Sequence, residues 1–82
     1  PNRRLAALQS GQCGTVARVA TQDQDALNLL AQLGLKPGAT LHLLEQGAEG
    51  SRIQVGGQRY LLPTSLAQVL WIQIEEDQDA NP

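Results

Sequence analysis

The amino-acid sequence predicts a small, mainly β barrel built from about five short strands and one α-helix. Apolar and polar residues alternate in several short segments separated by glycine or proline, which is typical of half-buried strands joined by turns. One segment instead repeats its apolar residues at helical spacing. With 82 residues there is room for one domain only. Closing short strands on themselves is the most economical way to bury their apolar faces at this length.

The first strand is predicted over residues 12–20, which contain the β-branched residues Val16 and Val19. These two valines are not an even number of positions apart, so both face the same side only if the strand is irregular. A β-bulge is therefore predicted around Ala17 and Arg18.

An α-helix is predicted over about residues 23–33. Thr21 or Asp23 can cap its start, and Gly34 can adopt the left-handed conformation that ends many helices. The spacing i, i+3, i+4 and i+7 gives the helix one apolar face, formed by Ala26, Leu29, Leu30 and Leu33.

A type II turn is predicted at Pro37-Gly38, because proline and glycine suit its two central positions. The strand that follows, residues 39–46, has Leu41 and Leu43 on one face and Leu44 on the other. Its alternation predicts an inward and an outward side.

The last third of the chain predicts a hairpin, a single helical turn and a terminal strand. Gly56-Gly57 fits a two-residue hairpin turn, which would set Ile53 opposite Tyr60. The helical turn is expected at about residues 64–68 and the strand at residues 69–74.

Composition excludes several classes of function. The net charge is −2 and the six basic residues are spread along the chain, so direct nucleic-acid binding is not expected. No apolar run is long enough to insert into a membrane. The single cysteine, Cys13, permits no intramolecular disulfide, which fits the reducing cytoplasm.

Several motifs, in this order, resemble the FeoA domain, the family of ferrous iron transport protein A. The sequence LGLKPG ends the predicted helix, and a glycine hairpin follows the next strand. The remaining matching positions are Leu5, Leu8 and Gly11 at the start and Ala67, Leu70 and Ile72 near the end. The resemblance implies an SH3-like barrel over residues 5–75. Residues 1–4 are expected to form a flexible arm, and the acidic residues 76–82 a disordered tail.

The resemblance implies a non-catalytic, cytoplasmic accessory of ferrous iron uptake. Such a domain would act by contact with the cytosolic domain of a membrane ferrous iron transporter, as a monomer or weak homo-oligomer. The family often has basic residues late in the helix and an arginine after the hairpin. This chain has Asn28, Leu29 and Gln32 in that part of the helix and Pro63 after the hairpin. If the basic residues contact the partner in other members of the family, this chain would bind that partner differently or bind another one.

Two alternatives to the accessory function remain open. The same barrel occurs as the C-terminal regulatory domain of iron-dependent repressors, where it would contact other domains of its own protein. A general adaptor that takes a peptide in a barrel groove is a third interpretation.

Neither a resident cofactor nor an enzymatic activity is expected. Ferrous iron is suggested only by the family, and the only soft metal ligands are Cys13 and His42. They lie on different predicted strands, so they are weak candidates that would meet only through the tertiary fold. Nucleophilic catalysis would need Cys13 or a serine beside a base, but His42 is the only histidine and the sequence offers no second group to orient it.

The candidate partner-binding residues are Trp71, Val69 and Leu44. On the terminal strand, Trp71 and Val69 alternate with the inward Leu70 and Ile72, so they are expected to point outward. An exposed tryptophan in an apolar patch is a frequent interface anchor. Alternatively, the helix or the segment 5–8 covers this patch.

Overall fold

A computed structural model describes residues 2–74 and shows one six-stranded antiparallel sheet in the order β1-β6-β2-β3-β4-β5. The prediction of a mainly β fold is confirmed. The strands are β1 (Asn2–Arg4), β2 (Cys13–Val19), β3 (Thr40–Gly47), β4 (Gly50–Val55), β5 (Gln58–Leu62) and β6 (Leu70–Ile74). The helices are a 3₁₀ turn (Leu5–Ala7), α1 (Gln24–Gln32) and α2 (Thr64–Ala67).

Helix α1 begins and ends where the sequence predicts. The side chain of Asp23 accepts a hydrogen bond from the Asp25 amide at 3.0 Å, which caps the first turn. At the other end Gly34 has a φ of 84°. The Leu35 amide donates to the Leu30 carbonyl at 2.8 Å, the reverse bond that closes a helix C-terminus.

The turn after α1 and the bulge in β2 are also as predicted. Gly38 has a φ of 97°, and the Ala39 amide donates to the Lys36 carbonyl at 3.0 Å, as in a type II turn. The pairing of β2 with β6 shifts register between Val16 and Arg18. This bulge lets β2 bend across the core.

The hairpin of β4 and β5 has the predicted register, with Ile53 opposite Tyr60. Gly56 and Gly57 both have positive φ angles, 58° and 84°, which match the primed turn that right-twisted strands require.

The buried apolar side chains fill the concave side of the sheet and are all aliphatic. Leucines dominate this core because the chain has no phenylalanine or methionine. The buried residues are Leu5, Leu8, Val16, Leu30, Leu35, Leu41, Leu43, Ile53, Leu62, Ala67, Leu70 and Ile72.

The predicted closure of the barrel is wrong, because no backbone pairing joins the edge strands β1 and β5 within residues 2–74. Strand β5 stops before Pro63, which has no amide hydrogen to extend a ladder. The 3₁₀ turn packs instead against α2, β4 and β6. Side chains, and not backbone hydrogen bonds between β1 and β5, cover this side of the core.

A glutamine secures the 3₁₀ turn in that gap. The side-chain amide of Gln46 donates to the carbonyls of Leu5 (2.7 Å) and Leu8 (3.1 Å). Its carbonyl accepts from the hydroxyl of Ser51 at 2.6 Å, and Ser51 is only 1% exposed. These bonds satisfy backbone groups that the open sheet leaves without ladder partners.

The expected flexible arm is different as well. Residues Asn2–Arg4 form β1, which pairs with β6 and raises the strand count from five to six. An edge strand presents unpaired backbone groups, and β1 satisfies those of β6. The predicted tail, residues 76–82, lies outside the described residues. In the described part of the chain, no helix has the length and apolarity needed to cross a membrane.

Gly50 is expected to tolerate no side chain. Its φ is 138°, and a Cβ atom there would overlap the carbonyl oxygen of Leu62. Gly50→Ala should therefore lower the free energy of unfolding by about 3 kcal/mol or more, measured by urea denaturation. Gly47→Ala, at the other end of the same turn, is the matched control. The nearest atom to a Cβ at Gly47 would be the Gly50 carbonyl oxygen, at the ordinary contact distance of 4.0 Å. Equal losses in both variants would contradict this account.

Gln46→Ala should destabilise the fold by about 2 kcal/mol, because it removes the partner of the Leu8 carbonyl and of the Ser51 hydroxyl and leaves the Leu5 carbonyl with the Leu8 amide alone. Gln58→Ala, at an exposed position of β5, is the control and should change stability by less than about 0.5 kcal/mol. The free energy of unfolding of both variants would be measured by chemical denaturation. A Gln46→Ala variant as stable as the control would show that the 3₁₀ turn does not depend on this glutamine.

Candidate partner-binding surface

Trp71 lies between two arginines on the outer side of the sheet. Arg4 on β1 and Arg18 on β2 are both register partners of Trp71 on β6. Their guanidinium carbons lie 4.9 Å and 5.1 Å from the centre of the tryptophan ring. Both contacts fall within the range of cation–π attraction. The half-buried ring therefore carries a cation on each flank.

The β2 bulge determines which residue faces Trp71. Val16 pairs with Ile72, and the next register partner along β2 is Arg18, opposite Trp71. A regular strand would have placed Ala17 there. The extra residue thus brings a guanidinium, and not a methyl group, against the ring.

Beside Trp71 is a shallow depression of about 560 Å³. Val69 forms part of its wall and also packs against the core, so it is half-buried. None of the described residues that line it is acidic. The lining residues are Arg4, Ala6, Ala7, Ala20, Gln68, Val69 and Trp71. The predicted pair Trp71 and Val69 therefore lies together at one surface, with one edge formed by the 3₁₀ turn.

Leu44, the third predicted residue, lies elsewhere. It is 38% exposed and, with Leu61 and Tyr60, lines a separate small depression at β4 and β5. The Gly11 amide donates to the carbonyl of Leu43, so Leu44 aligns with the start of β2 and Arg18 with its end. About seven residues of strand, on the order of 20 Å, separate the two surfaces.

Cys13 and His42, expected to be apart, are direct register partners on β2 and β3. Side chains of such a pair lie on the same face, with Cβ atoms about 5 Å apart. Cys13 is half-buried and His42 is exposed. Among residues 2–74 no group of three histidine, cysteine, aspartate or glutamate side chains could hold a metal ion. The pair offers two ligands where a tetrahedral site needs three or four.

Sequence reasoning missed Arg4 and Arg18 because it treated the basic residues as dispersed. They are separated along the chain but meet through β6. The bulge predicted around Ala17 and Arg18 could have indicated the position of Arg18, because the register shift at the bulge places Arg18 opposite Trp71. No comparable signal identified Arg4, because its position depends on β1.

The family model of the FeoA domain matches residues 3–74, almost all of the described chain. The chain belongs to the FeoA domain family. This family is linked to iron uptake and is a family of non-enzymatic accessory domains. None of the curated protein sequences matches this chain.

Solved structures place the fold in the SH3-like class. A FeoA iron uptake regulatory protein has a TM-score of 0.84 and 28% identity, over 92% of this chain and 99% of its own. The FeoA of Stenotrophomonas maltophilia, an SH3 domain protein solved with zinc, has a TM-score of 0.73 and 23% identity over 84% of this chain and 87% of its own. It is described as a candidate activating factor for bacterial ferrous iron transport.

Regulators are equally similar in shape. A manganese-dependent transcriptional repressor has a TM-score of 0.86 and 27% identity over 92% of this chain. The match covers only 42% of that repressor, so this chain corresponds to less than half of the regulator. The SH3-like fold predicted from the sequence is confirmed by these comparisons.

The Cys13–His42 pair should bind metal only weakly. Titration of the chain with Co²⁺ at micromolar concentration should give no thiolate-to-cobalt absorption band, because two neighbouring ligands do not complete a tetrahedral site. Cys13→Ser is the control for any band that appears. A saturating band at equimolar cobalt that vanishes in Cys13→Ser would show that the pair is part of a complete site.

Proposed function

We propose that this domain is a non-catalytic cytoplasmic accessory of ferrous iron uptake that contacts the cytosolic domain of a membrane ferrous iron transporter. Membership of the FeoA family over residues 3–74 is the observation that carries the proposal. The activating role described for the S. maltophilia protein supports it, since that protein has the same fold.

The arrangement of the surface supports contact as the mode of action. Trp71 combines a large apolar ring with two flanking guanidinium groups, a composition typical of residues that dominate protein interfaces. The described residues offer two soft metal ligands but no cluster of three, and the proposal assigns no resident metal to the domain. Iron would be the cargo of the transporter.

A second candidate function is the regulatory domain of a metal-dependent transcription regulator. The TM-score of 0.86 to the manganese-dependent repressor favours it. The discriminating measurement is the intact mass of the native protein in the cells that make it. A gene product with a helix-turn-helix region upstream of Pro1 would favour the regulator, and a product that starts near Pro1 would favour the accessory.

Binding of the purified chain to the transporter's cytosolic domain from the same genome tests the proposal, by calorimetry. Trp71→Ala should weaken this binding by about tenfold or more, since anchors of this type contribute about 2 kcal/mol. Leu44→Ala is the matched control at the separate surface and should bind as the wild type does. Thermal unfolding of each variant verifies the fold.

Three outcomes have distinct meanings. Loss in Trp71→Ala alone supports contact through the tryptophan surface. Loss in Leu44→Ala alone moves the contact to β4 and β5. Absence of binding by the wild-type chain contradicts the transporter as partner.

A further inference from the structure

An apolar groove of about 420 Å³ lies between α1 and the end of β2, next to the Trp71 surface. Its floor includes the buried Leu30 and Leu35, and half-buried Val19 and Leu27 form its sides. The turn that follows α1 contributes the exposed Pro37. Aliphatic floors of this kind accept apolar side chains from a partner segment.

Among residues 2–74, only cations provide charge at this groove. Arg18 and Lys36 are exposed lining residues, and none of the described lining residues is acidic. Within residues 2–74 the one recorded ion pair joins Arg52 to Glu45, at 3.8 Å. Arg18 and Lys36 therefore have no carboxylate partner in the described part of the chain.

The groove and the tryptophan surface are continuous through Arg18. This residue lines the groove, and its guanidinium also lies 5.1 Å from the ring of Trp71. Arg4 follows on the far side of that ring. Three cations, Arg4, Arg18 and Lys36, thus border one strip of apolar surface.

We infer that this strip, named here the cationic groove (Arg4, Trp71, Arg18, Leu27 and Lys36), docks a partner segment that combines apolar side chains with carboxylates. Leucine-like side chains would lie on the floor formed by Leu30 and Leu35, beside Leu27. Aspartate or glutamate residues would accept hydrogen bonds from the guanidinium and ammonium groups at the rim. The inference rests on the proposed function for the identity of the partner, but not for the chemistry of the segment.

The acidic end of this chain meets only half of that requirement. Residues 75–82 contain four carboxylates, but Ala80 and Pro82 are their only apolar residues. Moreover, β6 ends at Ile74 opposite Gly14, whereas Arg18 lies toward the other end of β2. A partner segment with larger apolar side chains satisfies both the floor and the rim.

The test uses two short helical peptides with the same leucine face. Their charged positions are all glutamate in one peptide and all lysine in the other. Trp71 is the only tryptophan, so its emission reports binding to the full chain. The glutamate peptide should bind, shift the amide resonances of Val19, Leu27 and Lys36, and weaken with added salt. The lysine peptide should not bind.

A pair of double variants separates this groove from general charge attraction. Arg18→Gln with Lys36→Gln should weaken binding of the glutamate peptide by about tenfold. Arg52→Gln with Arg59→Gln removes the same charge at the β4–β5 surface and should leave binding unchanged. Thermal unfolding checks that both variants fold. Leu27→Gln, which changes the apolar side of the groove and no charge, should abolish binding.

The remaining outcomes decide against the inference. Equal binding of the two peptides, or equal losses in the two double variants, would remove the groove as the site. Neutralising Glu75, Glu76, Asp77 and Asp79 by amide substitution in the full chain should leave peptide affinity unchanged. A large gain in peptide affinity would show that the chain's own acidic residues compete for the groove. Peptide-blocked self-association in sedimentation would assign it to a second copy.

Failure of this inference is distinguishable from failure of the proposed function. If the transporter domain binds the Arg18→Gln, Lys36→Gln variant as well as the wild type, the function stands and the groove is not its site. If the glutamate peptide behaves as expected but the transporter domain does not bind, the groove stands and the partner is a different one.

Discussion

The open side of the sheet is the constraint on which the rest of the structure depends. A sheet that bends round a core without joining its edges must cover apolar side chains by other means. Here the 3₁₀ turn fills the gap, and Gln46 holds it through the carbonyls of Leu5 and Leu8. One half-buried polar side chain thus supports the cover of an apolar core through three hydrogen bonds, two to backbone carbonyls and one from the Ser51 hydroxyl.

The same constraint accounts for the position of the candidate partner-binding surface around Trp71. Because the 3₁₀ turn must enter the gap, the residues just before it lie along β6 and pair with it as β1. That pairing places Arg4 on Trp71, while the β2 bulge places Arg18 on the other flank. The tryptophan's environment is therefore a consequence of how the core is covered. The position of Arg4 depends on the pairing of β1 with β6, and the position of Arg18 depends on the β2 bulge.

The local elements could be predicted from the sequence because short-range chemistry determines them. A capping aspartate, Gly34, Gly38 and the Gly56-Gly57 pair each specify a backbone conformation, and all are found where expected. Closure, the strand β1 and the meeting of Cys13 with His42 depend on long-range register, which periodicity does not encode. Trp71 and Val69 were predicted as outward residues, but the separation of Leu44 from them depends on how far β3 extends past the start of β2.

The distribution of charge determines which kind of partner the surface would favour. Arg52 has Glu45 beside it across the β3–β4 pair, at 3.8 Å. At the other end Arg4, Arg18 and Lys36 adjoin apolar surface, and none of the described residues that line either depression carries a carboxylate. Exposed ion pairs contribute little to stability, so neutralising these cations internally would have gained the fold almost nothing. Unpaired cations beside apolar surface do contribute to recognition, because they select a partner of opposite charge and reject one of like charge. The inferred cationic groove would thus favour an acidic partner.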